Sequence, residues 1–513
     1  MSRPRVVLYP FLMACYPVLA LAQSNGGELV RPGDLVKPFL IALGAAGLVW
    51  LLSRLVTRDP DRRGLVTFLA VVVFTTFGDW VDLVNRLVPS RPVASVLVLL
   101  PLGAAVVLAR RTTVQLGWLT RYLNVVLTVL LIWTGGTFLW RLRRPDTPLA
   151  LQNPALPVTP MAIAGDSLPN LFVVILDKYT GQRSLEANYG FDNAPLEQAL
   201  ERQGFVVPRN ARANYVHTFL ALAAMLNWEY LDDVARRLGP ENPNWSAAYP
   251  LIEDNRSWRA LRRLGYRFVF MPSALPATDH NRYADLLLPD PSKLSHEFEA
   301  VWLRGTILLP VLEWACARFR CSGGALPYVP ETADSYDWKF RMMPGLANGE
   351  RPVFVLAHLA VPHEPYVYDA ECRHRDPYWP RTDSGAAEPA VKAAYVAQIQ
   401  CVNRKVEQLV ADIISTSRRP TIIMLQADHG HALLGRDVPP LADVSPAQVA
   451  ERTDIFAAYL LPGAPRSLVS DSIGPVNAMR AVMRYYYGFD LPPLEEASYW
   501  SSARRPYAFT RVR

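Results

Sequence analysis

The stretch Gln426-Ala427-Asp428-His429-Gly430-His431 places an aspartate and two of the chain's eight histidines directly after the apolar run Thr421–Leu425. Asp177 follows the apolar run Leu171–Leu176 in the same way. Two carboxylates and an imidazole at the ends of buried strands suit a divalent cation such as zinc or manganese, or the harder magnesium. A cation held there lowers the pKa of a coordinated hydroxyl and stabilises charge on a phosphoryl oxygen. Such a site needs a nucleophile. Thr218 fits, because the sequence predicts that it opens a helix, where the dipole and free amides attract an anion. His358 and His363 follow another apolar run, Val353–Ala357. His363 gathers with these residues at the same strand ends, and His358 and His431 are candidates for substrate contact.

Each residue also has an ordinary role. An Asp after a strand makes a turn or caps a helix. A Thr at a helix start is an N-cap. His363, within Pro362-His363-Glu364-Pro365, is equally readable as a loop histidine with a structural hydrogen bond. The chemistry is carried by the combination, and the combination depends on what holds it.

The positioning elements are legible as alternating patterns. Leu171–Leu176, Val353–Ala357 and Thr421–Leu425 are continuous apolar runs of the kind buried on both faces of a parallel sheet. Arg267–Met271, a short run at Phe205–Val207 and a last one within Asp454–Gly463 are further strands. Helical patterns cover about 194–203, the segment from Thr218, and 390–415. Alternation predicts an α/β fold, a mostly parallel sheet between helices. Such sheets bind ligands outside the carboxyl ends of their strands, where Asp177, His358, His363, Asp428, His429 and His431 fall.

Hydrophobic residues make up 51 % of the 513-residue chain and charged residues only 19 %. The excess sits near the N-terminus, in Val6–Ala22, Phe39–Leu52, Leu65–Val81, Val93–Leu108 and Val125–Trp140. Five such stretches predict a bundle of about five transmembrane helices over 1–144. Arg3 and Arg5, then Arg54, Arg58, Arg62 and Arg63, then Arg110, Arg111 and Arg121 mark the cytoplasmic ends. The remainder then lies outside the membrane, against a mild contrary signal from Arg141, Arg143 and Arg144. The first stretch also reads as a cleavable signal peptide ending near Ala20-Leu21-Ala22, with the same outcome for the rest. A Pro-rich segment, 145–168, reads as a linker, and 169–513 as one large extracytoplasmic domain. Four cysteines lie in that domain; local spacing pairs Cys316 with Cys321 and Cys372 with Cys401. The net charge of +7 suits an anionic lipid surface and carries no nucleic-acid signature.

At this point the residues resemble a family. "PNLFVVILDKYTG", "ANYGFDNAPLEQALERQGFVV", "NYVHTFLALAAMLNWEYL", "HLAVPHEPYVYD" and "LQADHGHALL" resemble the sulfatase-type branch of the alkaline phosphatase superfamily. Within it they look most like membrane-anchored proteins related to lipoteichoic acid synthases and phosphoethanolamine transferases, over roughly 169–470. The resemblance implies Asp177, Thr218, Asp428 and His429 as metal ligands, Thr218 also as nucleophile, and His363 at the substrate phosphate. It implies a bacterial inner-membrane enzyme that moves a phospholipid-derived headgroup, through a phospho-threonine, to a glycan or lipid acceptor. Hydrolysis of a phosphate or sulfate ester at the same site, and a catalytically degenerate membrane scaffold, are the alternatives. The sequence departs from true sulfatases in lacking a Cys/Ser-x-Pro-x-Arg motif near 218, which argues against sulfate esters. It has Lys178 where they carry a second acid.

Overall fold

The computed structural model describes residues 6–24, 32–85, 87–88, 90–111, 114–143, 168–289, 297–319, 332–375, 387–434 and 437–513. The predicted linker lies almost wholly outside these residues. The chain divides into two compact units, one of 1–146 with 293–330 and one of 147–292 with 331–513. Residues 293–330, which the sequence reading left inside the C-terminal domain, therefore belong with the N-terminal helices.

The helical unit contains α1 (Tyr9–Ser24), α2 (Val36–Leu52), α3 (Pro60–Asn85), α4 (Arg91–Arg111) and α5 (Gly117–Arg143). Among the described residues three segments are long and apolar enough to cross a membrane: Gly33–Leu55, Pro60–Asn85 and Gly117–Trp140. The sequence predicts five. Helix α1, with 16 residues, rises only about 24 Å. In the 21-residue α4 only the stretch Val93–Ala104 has every side chain among the described residues, so the count of three does not extend to its full apolar length. The helix Glu297–Gly305 packs in this unit, with Phe298, Trp302 and Leu303 buried in one cluster with Ala14, Val18, Ala42 and Val71.

The second unit is α/β. Its six-stranded sheet runs β3-β2-β4-β1-β5-β6, built from β1 (Asn170–Leu176), β2 (Arg267–Met271), β3 (Leu286–Leu287), β4 (Val353–Leu359), β5 (Thr421–Gln426) and β6 (Ala457–Leu460). Every pairing is parallel except β5 with β6. β1 is central, hydrogen-bonded to both β4 and β5, and all seven of its residues are buried. That accounts for its unbroken apolar run, since neither face meets water. Phe205–Val207 is not a strand: only a single bridge joins Val206 to Tyr459. A C-terminal hairpin, β7 (Tyr499–Ser502) with β8 (Arg505–Arg511), was not anticipated.

Three helices follow β1: α6 (Gln182–Tyr189), α7 (Ala194–Arg202) and α8 (Thr218–Asn227). Helix α8 is apolar all round and is buried from Phe219 to Asn227, as a helix enclosed by protein must be. Its burial anchors the helix so that its first residue, Thr218, stands half-buried at the edge of the interior. The 29-residue helix Glu388–Thr416 buries one face and joins to the loop after β4 through a Cys372–Cys401 disulfide, Cα–Cα 5.0 Å. Cys321 lies outside the described residues, so the structure gives no account of a Cys316–Cys321 pairing.

Candidate metal centre and phosphate site

Asp177 ends β1 through a tight turn. Lys178, the next residue, has φ 61°, in the left-handed region that side chains seldom adopt. Two bonds hold this turn: the Lys178 amide donates to Asp428 Oδ1 at 3.2 Å, and the Tyr395 hydroxyl donates to the Lys178 carbonyl at 2.6 Å. Asp428 stands beyond the neighbouring β5, where the His429 amide also donates to Oδ1, at 2.8 Å. The two carboxylates thus sit at the carboxyl ends of adjacent parallel strands, both buried.

Asp177, Asp428 and His429 each offer a ligand atom, and these atoms lie within 4.8 Å of one another. Thr218 Oγ1 lies 3.3 Å from His429 Nε2. His429 Nδ1 lies 3.1 Å from the Gly430 carbonyl. The proton this assigns to Nδ1 leaves the Nε2 lone pair facing Thr218 and Asp428 Oδ2, the latter at 3.3 Å.

Both Asp177 oxygens and Asp428 Oδ2 are buried without a hydrogen-bond donor. Buried polar atoms are rarely left so. Burial and the charge of Asp177 push the Asp428 carboxyl up to about 6. Asp177 goes the other way: burial raises it, but the charge of His363, the His358 ring 3.5 Å away and the charge of His429 hold it below the carboxylate range. Two carboxylates facing each other with three empty oxygens fit a cation, and the imidazole nitrogen completes a set suited to zinc or manganese.

Of the other histidines, His358 lies inside β4 rather than after it. It is fully buried, with Nδ1 2.7 Å from Thr278 Oγ1 and Nε2 3.5 Å from Asp177 Oδ2. It props Asp177 from behind. His363 is partly exposed, and its amide donates to the Asp177 carbonyl at 3.1 Å. His431 is a correction to the sequence reading. It is fully buried, stacked on Tyr395, with Nδ1 2.8 Å from the Tyr189 hydroxyl and Nε2 3.0 Å from the Tyr366 hydroxyl. Both ring nitrogens are engaged, and burial pushes the ring down to about 3, so it is neutral. It is a packing hub with no atom left for a phosphate.

Two features of the site went unread in the sequence. Arg452, buried before β6, donates from Nη2 to the Val216 carbonyl at 2.9 Å and reaches His429 Nε2 at 3.3 Å. Its Nη1 reaches the Gly430 and His431 carbonyls at 3.1 and 3.3 Å. Lys178 and Glu364 form a buried ion pair at 3.1 Å to both carboxylate oxygens. Glu364 sits beside His363 in the Pro-His-Glu-Pro segment, and that context was the only available sign. Arg452 ends the polar helix Pro446–Thr453 and looks like a surface residue.

No protein-family model and no curated protein matches the chain. Among solved structures, it is similar to the C-terminal periplasmic domain of EcEptC from Escherichia coli. Identity is 13 %, the TM-score 0.43, and the match covers 70 % of this chain and 97 % of that one. It is similar to the integral membrane protein lipooligosaccharide phosphoethanolamine transferase A from Neisseria meningitidis at 13 % identity and TM-score 0.41, over 93 % of both chains. It is also similar to the phosphonate monoester hydrolase of Agrobacterium radiobacter at 14 % identity and TM-score 0.41, over 65 % of this chain and 80 % of that one.

Proposed function

We propose that the α/β unit is a metal-dependent phosphotransferase. It moves a phospholipid-derived phospho-headgroup to a glycan or lipid hydroxyl. The observation that carries this reading is Thr218 Oγ1 at 3.3 Å from His429 Nε2, beside two buried carboxylates with unpartnered oxygens. Asp177, Asp428, His429 and Thr218 would hold one divalent cation, of zinc, manganese or magnesium type. When bound, it supplies charge neutralisation at the phosphoryl group and an acidified Thr218 hydroxyl.

The chain's own groups do the rest. Thr218 Oγ1, its proton given up to solvent beforehand, forms a bond to phosphorus as the bond from phosphorus to the diacylglycerol oxygen breaks, and it leaves again as the same oxyanion. The leaving oxygen takes a proton from His363, whose Nδ1 is occupied 2.5 Å from the Glu364 carbonyl, so Nε2 is the atom left to face the substrate. An acceptor hydroxyl then attacks phosphorus, gives its proton to His363 and releases Thr218. The covalent step splits one hard transfer into two easier ones. Arg452 adds fixed positive charge in a buried setting, where such charge is most effective. Arginine-rich joints between the apolar stretches support a bacterial inner-membrane placement with this unit on the periplasmic side.

The test is turnover of a labelled phospholipid by purified protein, with and without an acceptor alcohol. Thr218→Ala is expected to lower turnover about 10³-fold or more. Full activity in that variant rejects the mechanism. Product formed at equal rate without an acceptor makes the enzyme a hydrolase.

A further inference from the structure

Residues 297–319 belong to the helical unit although the chain on both sides belongs to the α/β unit. The helix Glu297–Gly305 buries Phe298, Trp302 and Leu303 in a cluster with residues of α1, α2, α3 and α5. Lys37 and Glu299 pair at 2.8 Å on the same contact.

The decisive detail is where this segment meets α3. Helix α3 is broken at Thr76, which has non-helical φ −123° and ψ 15°. Thr75 and Thr76 turn their hydroxyls back to the carbonyls of Val71 and Val72, at 2.9 and 2.7 Å, which bends helices. At the break, the Ile307 amide donates to the Phe74 carbonyl at 3.0 Å. A Cβ built on Gly78 would stand 2.0 Å from the Arg304 carbonyl, and one on Gly305 3.4 Å from that of Thr75. Both glycines therefore allow close backbone approach, as small residues do between helices in membranes. Backbone groups in lipid must find partners inside the protein. The break in α3 finds one in Ile307. The point of contact lies toward the end of α3 that carries Asp79 and Asp82, away from Arg62 and Arg63. After it, Thr306 Oγ1 accepts from the Leu308 amide and starts the helix Leu308–Phe319. That helix leaves Val311 52 % and Trp314 67 % exposed. A helix packed on a span presents its remaining apolar face to whatever surrounds the span, and tryptophan suits the headgroup boundary.

We infer that residues 297–319 are a second membrane attachment: a segment that returns from the α/β unit to the outer leaflet, docks on the break in α3 and sets Val311 and Trp314 in lipid. This inference rests on the membrane reading of α2, α3 and α5. The enzyme is thereby held at its lipid substrate from two points in the chain.

The experiment uses the full chain with a protease site inserted within 145–168. After cleavage in membrane vesicles and a carbonate wash, the C-terminal fragment is expected in the pellet. A Phe298→Ser/Trp302→Ser variant, checked for an intact Cys372–Cys401 bond, is expected to release it. A photoreactive benzoylphenylalanine at position 314 is expected to yield a phospholipid adduct in proteoliposomes. Release of the C-terminal fragment from the parent chain while the N-terminal fragment stays in the pellet overturns the inference alone. So does retention of the fragment in the double-serine variant, or a position-314 probe with no lipid adduct. An N-terminal fragment in the supernatant overturns the membrane reading and the inference with it.

Discussion

Lys178 and Glu364 show how the site is held at the residue scale. The ammonium meets both carboxylate oxygens and the Leu434 carbonyl, at 3.1 to 3.3 Å, out of reach of water. Burial alone would raise Glu364, but His363 and Lys178 together hold it well below the usual range. Removing one partner leaves the other charge buried, which typically costs about 3–5 kcal/mol. Lys178→Met should therefore lower the denaturation midpoint sharply, and Lys178→Met/Glu364→Met should recover most of that loss. A double-mutant cycle with no coupling would show that the pair does not support the site. Arg452 makes a related prediction. A lysine cannot fork across the Val216, Gly430 and His431 carbonyls and His429 Nε2. Arg452→Lys should cut kcat/KM about 10-fold to 100-fold, read against unchanged far-UV circular dichroism. Asp177, Asp428, His429 and Thr218 were legible as candidates in the sequence because each follows or opens an unmistakable element. Arg452 and the Tyr189, Tyr366 and Tyr395 cage around His431 were not. Their partners are separated by tens to hundreds of residues, and no local pattern records such a meeting.

At the scale of elements, the turn after β5 is shaped by contact more than by torsion. A Cβ on Gly430 would stand 2.0 Å from the Glu451 carbonyl and 2.9 Å from that of Asp454. The Gly430 amide donates to the Arg452 carbonyl at 2.8 Å. Gly430→Ala must push this backbone apart, with an expected loss of about 1–3 kcal/mol and a larger fall in activity, because His429 and Arg452 ride on the two sides of that contact. Wild-type turnover and melting in the variant would refute the close-approach account. The central strands were readable because burial on two faces leaves a continuous apolar run. The helix Glu297–Gly305 was not, since nine residues with a charged minority look the same in a soluble core as against a membrane span. β7 and β8 escaped for a similar reason, lacking a long apolar run.

For the molecule as a whole, the unpartnered carboxylates mean that a cation should act as a structural ligand as well as a reagent. A ligand at 100 times its Kd adds about 2.7 kcal/mol to stability. Chelation of the purified protein should lower its melting temperature, and zinc or manganese should restore it. Asp177→Asn and Asp428→Asn should abolish the restoration. A melting temperature indifferent to metal in the parent protein would remove the cation from the account.

The Cys372–Cys401 bridge bears on how the protein is made. It closes a loop of 29 residues between the segment that carries His363 and the long helix Glu388–Thr416. Loop closure of that size removes about 3–4 kcal/mol of disorder from the unfolded chain. The bond ties the segment after His363, rather than the sheet, to that helix. With the α/β unit on the periplasmic side, as proposed, biogenesis acquires an order in which delivery to that oxidising compartment precedes full competence. Material retained in a reducing cytosol should bind metal and yet turn over poorly until an oxidant reaches it.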